Sequence, residues 1–409
     1  MIRFAHTADT HFGVENYGKI DAKTGIHSRL LDFNSAFSSC IDCAIENNVD
    51  FFLFCGDAYK TTNPTPTQQK LFMQCLLRLY KADIPVVLLV GNHDNPLSFG
   101  KAHALDLFEH LPLDGFHIIC KPTTLILNTK NGPVQIVGIP WPTRNTIALS
   151  AVHFAKSNEE ITRYISDALG KIIQSHAQKL DPEIPAVLAG HLTVSTGVFS
   201  GSERRAIYGN DPTLLPSQLA CKPFDYVALG HLHRYQNLNT SGYPAIVYCG
   251  SPERVDFGER KEEKGFCLVD LKKNETSHQF VATPARLFIQ VEVHLKPEKN
   301  QTEQILEALA KETISGAVIK IKYYLETSCK DLVDLQAVQQ ACKKAHYLVG
   351  VIPVQEHATR ERRSNLNVEM DFKTILKAYL DTKPTLDEKK KTDLVEKAML
   401  LFEQTKQDY

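Results

Sequence analysis

No apolar run in this 409-residue chain approaches the ~20 residues needed to span a bilayer, so a membrane-spanning helix is excluded. A strand-like apolar run begins at Ile2, which leaves no room for a signal peptide and makes the cytoplasm the expected compartment. Net charge is missing as well. Lys and Arg number 46 against 47 Asp and Glu, so bulk charge does not draw the chain to nucleic acid, and a role there needs a local basic surface. There is no internal repeat and no low-complexity segment. The ten cysteines form no repeated short pair. Cys40 and Cys43, one turn apart on a predicted helix, lack a second Cys or His pair to complete a zinc site. Cys55 and Cys249 sit in apolar runs and read as small core residues. What is left is a globular chain, 43% hydrophobic and 23% charged, with length for two or three domains of ~100–200 residues each.

The informative feature is a set of five short motifs, each at the end of a strand-like apolar run. They are Asp9-Thr10-His11, Gly56-Asp57, Gly91-Asn92-His93-Asp94, Gly190-His191 and Gly230-His231-Leu232-His233. Buried strands of an α/β sheet deliver the residues that follow them to one rim, where ligand sites form. Two aspartates, one asparagine and four histidines, with His93 in addition, supply donors for two divalent metals that share one carboxylate. The pattern predicts a binuclear metal hydrolase. Gly56, Gly91, Gly190 and Gly230 are expected to let the backbone turn sharply. Asp9 with His11, and His231 with His233, are expected to point to one side of an extended chain. Ligand softness admits Mn, Fe, Mg or Zn, with the imidazoles arguing against a pure Mg²⁺ site.

Strands and helices alternate through residues 1–283, with helices predicted over 30–46, 66–82 and 158–179. Residues 115–140 read as antiparallel strands at the edge of a sheet. A boundary near Pro284 opens a βαβαβ module over 284–356, a small α+β domain. A polar linker, 357–367, carries Arg360, Arg362 and Arg363. Beyond it, 368–409 holds two amphipathic helices, one with Phe372, Ile375, Leu376, Tyr379 and Leu380, the other N-capped by Asp387 with Leu394, Ala398, Leu401 and Phe402 in a stripe. Helices so short cannot bury both apolar faces on each other, so they pack on their own domain or, as the linker favours, on a partner protein.

The five motifs in this order resemble the calcineurin-like metallophosphoesterases, and more narrowly the SbcD family of bacterial double-strand-break repair nucleases. Tyr248-Cys249-Gly250-Ser251-Pro252-Glu253-Arg254-Val255-Asp256-Phe257-Gly258-Glu259 is similar to the SbcD signature that follows the last ligand pair, and Gly138-Ile139-Pro140-Trp141 resembles a family turn. The resemblance covers nearly the whole chain. It implies an α/β (α+β) fold: a two-sheet metallophosphoesterase sandwich flanked by helices, a small α+β capping domain, and a C-terminal helical segment that grips an SbcC-like ATPase. It further implies two divalent ions, usually Mn²⁺, one held by Asp9, His11, Asp57 and His233, the other by Asp57, Asn92, His191 and His231. His93 would stabilise charge on the phosphate or protonate the leaving oxygen, and Asp94 would orient His93, unless it only forms the turn.

One departure stands out. Some members carry a second active-site histidine three residues after the bridging aspartate; this chain has Lys60 there. Arg204, Arg205 and Arg254, in loops near the motifs, are candidate DNA contacts, with Lys320 and Lys322 on one face of a predicted strand. The resemblance implies a manganese-dependent DNA nuclease, a 3′–5′ double-strand exonuclease and single-strand endonuclease serving DNA repair, recombination and replication. It implies a homodimer that forms a heterotetramer with the ATPase (the SbcCD complex). The alternatives are a small-nucleotide phosphodiesterase or phosphatase on the same fold, and a metal-free scaffold, which the intact donor set disfavours.

Overall fold

The structure, a computed structural model, describes residues 1–96, 101–110, 114–143, 157–201, 211–326, 329–356, 372–381 and 387–407. Four strands that follow one another early in the chain, β1 (Ile2–Thr7), β2 (Phe51–Phe54), β3 (Val86–Leu89) and β4 (Phe116–Ile119), lie parallel. A second group comprises β5 (Thr123–Thr129), β6 (Gly132–Ile139), β7 (Ala186–His191), the short β8 (Thr193–Val194) and β9 (Thr213–Leu214), β10 (Tyr226–Gly230), β11 (Gln236–Asn237) and β12 (Ala245–Tyr248). Finally β13 (Gly265–Leu271) returns to pair antiparallel with β1, and β14 (Ser277–Ala282) with β13. The result is two six-stranded sheets, β14-β13-β1-β2-β3-β4 and β11-β12-β10-β7-β6-β5, each with four parallel strands and antiparallel strands outside them.

The apolar composition explains the layering. Every residue of β2, β3 and β10 is buried, as expected for strands covered on both faces. Between the sheets, Phe4, Phe51, Leu53 and Val87 meet Val187, Ala189, Tyr226 and Val247. The outer face of the first sheet is covered by α1 (Ser28–Glu46) and α2 (Pro66–Lys81), through Phe37, Ile41, Phe72 and Leu76. The helix Asn158–Ala177 covers the second sheet through Ile165, Leu169 and Ile173. Helix α2 opens on a capping box, with Thr65 and Gln68 satisfying each other's backbone and Pro66 at the first turn. The edge hairpin expected over 115–140 is in part corrected. β4 joins the first sheet parallel to β3, while β5 and β6 form a hairpin of the second, with β6 parallel to β7.

Two compact units divide the chain: Met1–Val291 with Leu309–Ile321 and Gln339–Gly350, and Glu292–Ala308 with Lys322–Val338 and Val351–Tyr409. The βαβαβ order expected after Pro284 is observed as β15 (Phe288–His294), a helix Gln301–Leu309, β16 (Val318–Glu326), a helix Leu335–Ala341 and β17 (Tyr347–Glu356). The unit limits fall inside these elements, not at residue 284. In the second unit the C-terminal helices run Phe372–Asp381 and Glu388–Gln407, and Asp387 caps the latter, its carboxylate accepting the Lys390 N–H at 2.8 Å. The apolar stripe differs from expectation: Leu380 and Val395 are buried, whereas Tyr379, Leu394 and Leu401 are exposed and Leu376 and Phe402 half-buried. The side chains of Phe372 and Ile375, and the linker 357–367, lie outside the described residues. Among the described residues no helix is long and apolar enough to cross a membrane.

Candidate metal centre

All five motifs reach one rim. Adjacent parallel strands β1, β2 and β3 bring Asp9, His11, Asp57 and Asn92 from the first sheet. The neighbours β7 and β10 bring His191, His231 and His233 from the second. Main-chain hydrogen bonding continues past the strand ends, with Asp9 N donating to Gly56 O at 3.0 Å and His11 N to Asp57 O at 3.1 Å. The sheets are tied at the centre itself, where both carboxylate oxygens of Asp9 accept the His231 N–H at 3.0 Å.

The backbone there is not extended. Asp9 (φ 55°), His11 (φ 43°), Asp57 (φ 60°) and His231 (φ 99°) all occupy the left-handed region, so four of the seven donors carry local strain of the kind found at functional sites. This corrects two expectations. Asp9 and His11 converge through a left-handed kink, not by alternation along an extended chain. Of the four motif glycines only Gly56 has positive φ, at 92°. Gly91 acts by closeness instead: a Cβ there would lie 2.2 Å from Asp57 Oδ1.

The donors form two overlapping groups. His11 Nε2 lies 2.9 Å from His233 Nε2 and 3.6 Å from Asp57 Oδ2, and donor atoms of Asp9, His11 and His233 all lie within 4.8 Å of one another. On the other side of Asp57, His191 Nε2 is 3.4 Å from Oδ1 and 2.9 Å from Asn92 Oδ1, which is 3.2 Å from His231 Nδ1. Asp57 faces both groups with different oxygens. Trp141, whose backbone N–H donates to Val90 O at 3.0 Å, lays its indole against the His231 ring with centroids 4.9 Å apart.

The fit to cations follows from the chemistry of this set. Burial works against the charge on Asp57, but His191, His11 and His93 outweigh it and hold the carboxyl well below its usual range. Burial, with the Asp57 charge added, pushes Asp9 up to about 7 against the pull of His191 and His233. The Nε2 atoms of His11 and His233, 2.9 Å apart beside the carboxylates of Asp9 and Asp57, are placed to share a positive centre. Imidazole, carboxylate and amide donors together suit divalent ions of intermediate hardness. The His/Asp cluster is therefore fit to hold two divalent metals.

Around the donors lies a layer of positioning contacts. His191 Nδ1 faces Cys55 O at 2.7 Å, which fixes its Nε2 inward. His93 Nδ1 faces the carbonyl of Lys60 at 2.8 Å, so the residue at the departing position orients His93 through its backbone. Asp94 does not orient His93. Its carboxylate instead accepts the N–H groups of Asp57, Ala58, Tyr59 and Gly91 at 2.8–3.3 Å, which pins the loop bearing Asp57. An aspartate with four amides nearby satisfies donors that would otherwise be buried unpaired.

Arg254 is also placed differently from expectation. Only 8% exposed, it donates to the carbonyls of Ala285, Arg286 and Glu262 and acts as a strut of the fold. Arg204 and Arg205 lie outside the described residues. Sequence reasoning missed Glu259, Lys264 and Asp211. Glu259 Oε1 accepts the His233 ring N–H at 2.8 Å, and Asp211 lies 3.6 Å from His231 Nε2. Glu259 and Lys264 bracket a run of charges that reads as a solvated surface, yet both are buried.

The model of the calcineurin-like phosphoesterase family matches residues 2–235, more than half of the chain. The SbcD component of nuclease SbcCD from Bacillus subtilis is 29% identical over 282 residues, 67% of this chain and 67% of that one. The Escherichia coli K12 protein of the same name is 27% identical, over 66% of this chain and 64% of that one. DNA double-strand break repair protein Mre11 of Methanococcus maripaludis is 27% identical, over 66% and 63%.

Proposed function

The chain belongs to the calcineurin-like phosphoesterase family, and from that premise we propose that it is a manganese-dependent DNA nuclease that hydrolyses phosphodiester bonds at DNA ends. The observation that carries this reading is the convergence of all seven donors on one rim, in a chain similar over two thirds of its length to SbcD nucleases. Asp9, His11 and His233 would hold one Mn²⁺, Asn92, His191 and His231 the other, with Asp57 shared. Such ions, when bound, lower the pKa of water and neutralise charge on the phosphoryl oxygens. The chain's own residues do the rest. Asp94 and Gly91 hold Asp57 in place between the two groups. Lys60 O takes one side of the His93 ring and leaves Nε2 for the substrate, where it stabilises the phosphate charge or protonates the leaving sugar oxygen.

The reading extends to 3′–5′ exonuclease action on double strands, endonuclease action on single strands, and a role in break repair. It includes a homodimer working with an SbcC-like ATPase. The C-terminal helices, with Tyr379, Leu394 and Leu401 exposed, support the ATPase contact. Deleting residues 368–409 is expected to spare Mn²⁺-dependent cleavage of short DNA and to remove ATPase binding in a pull-down. Binding that survives the deletion contradicts the docking role.

The direct test is cleavage of linear double-stranded DNA with Mn²⁺ beside bis-p-nitrophenyl phosphate. DNA cleavage is the expected result. Turnover of the small ester alone, with the ATPase supplied, would replace the nuclease by a small-nucleotide phosphodiesterase.

A further inference from the structure

The histidines of the centre are held unequally on their outer sides. His191 and His93 face backbone carbonyls, His231 Nε2 is 3.6 Å from Asp211, and His11 Nδ1 has no hydrogen-bond partner among the described residues. Among the described residues, His233 is the one whose outer nitrogen has a carboxylate in hydrogen-bond range, Glu259 Oε1 at 2.8 Å. The second oxygen of Glu259 accepts the Val255 N–H at 2.9 Å and pairs with Lys264 Nζ at 2.7 Å. Lys264 Nζ in turn donates to the backbone carbonyl of His233 at 3.0 Å and to Glu262 at 3.1 Å. The ammonium thus grips both the carboxylate on the ring and the main chain of the same histidine.

Neither side chain of this pair has any solvent exposure. A fully buried ion pair is seldom more stabilising than an apolar pair of the same volume, so stability alone does not account for it. Each member reaches His233, Glu259 at the ring and Lys264 at the backbone carbonyl.

We propose that Glu259 and Lys264 are a positioning pair that fixes His233 with its proton on Nδ1 and its Nε2 lone pair toward Asp9 and His11. A carboxylate on the outer nitrogen raises the basicity of the ligand, so this half of the centre is the tighter metal site. The inference rests on reading the seven donors as a two-metal centre and does not depend on the substrate being DNA.

The experiment titrates metal-free, full-length protein with Mn²⁺ and follows bound ion by electron paramagnetic resonance. Wild type is expected to bind two ions. Glu259→Gln is expected to weaken one ion by ~10–100-fold and leave the other unchanged. The double variant Glu259→Gln/Lys264→Met removes both buried charges together. It is expected to keep the metal-free Tm near wild type while the one-ion defect persists, which a merely structural pair would not give. Two ions bound as in wild type by the double variant overturn the proposal. So does a ¹⁵N spectrum of metal-free wild type with the His233 proton on Nε2, a measurement that needs no variant. A wild type that binds two ions, loses one in Glu259→Gln and cleaves no DNA leaves the positioning pair standing and removes the nuclease reading. A wild type that binds neither ion removes both.

Discussion

Asp57→Asn is expected to lower phosphodiester turnover by roughly 10³-fold or more, the scale on which loss of one preorganised charge is felt. The substitution isolates charge from shape. Asp57 sits at φ 60°, a conformation that asparagine tolerates and alanine adopts at a cost of about 1 kcal/mol. The amide oxygen can still accept the His93 N–H that Oδ1 accepts at 2.9 Å, so the loop has reason to stay in place. What disappears is the negative charge facing both donor groups. In the absence of metal His191, His11 and His93 stabilise that charge against the cost of burial, so the variant should melt no higher than wild type. The contrast appears on adding Mn²⁺. A ligand at a hundred times its Kd stabilises a protein by about 2.7 kcal/mol, and the Tm rise that wild type shows should largely vanish in Asp57→Asn. An undiminished Mn²⁺-dependent rise in the variant would show that Asp57 does not bridge.

His93→Gln is expected to behave in the opposite way: turnover down by ~10²–10⁴-fold, the Mn²⁺-dependent Tm rise intact. Three contacts support the separation. The ring is held by Lys60 O, its centroid lies 4.9 Å from that of His11 at 87°, and its backbone N–H, which a substitution retains, is the group that touches Asp57. His93 also lies near enough to His11 and Asp57 to join them around a cation. Metal titration therefore decides the matter. Loss of one ion in His93→Gln would make His93 a ligand and leave the substrate without its proton donor.

How much of this was legible in the sequence depended on how local the cause was. A run such as Phe51–Phe54 followed by Gly56-Asp57 announces a buried strand and a polar residue at its end, so the convergence of all seven candidate residues was readable. The left-handed backbone at Asp9, His11, Asp57 and His231 was not, because aspartate and histidine only modestly favour that region and the strain is imposed by neighbouring strands. Asp94 was assigned to its sequence neighbour His93, whereas its partners, apart from Gly91, lie on the loop after β2. Arg254 and the Glu259–Lys264 pair failed for a shared reason. Charge in a loop predicts exposure, and only the long-range return of β13 and β14 puts those loops under cover. The division of residues 115–140 between two sheets was equally invisible, since it depends on which distant edge each strand meets.

The return of β13 has a consequence in time. Strand β1 pairs on one side with β2, about 45 residues on, and on the other with Gly265–Leu271. During synthesis at ~5–20 residues per second, the first strand made therefore waits roughly 13–50 s for its second neighbour. Glu259 and Lys264, which hold the last histidine, leave the ribosome in the same interval as that neighbour. The nascent chain thus carries Asp9 and His11 for more than half of its synthesis before His233 and the strand beside β1 exist.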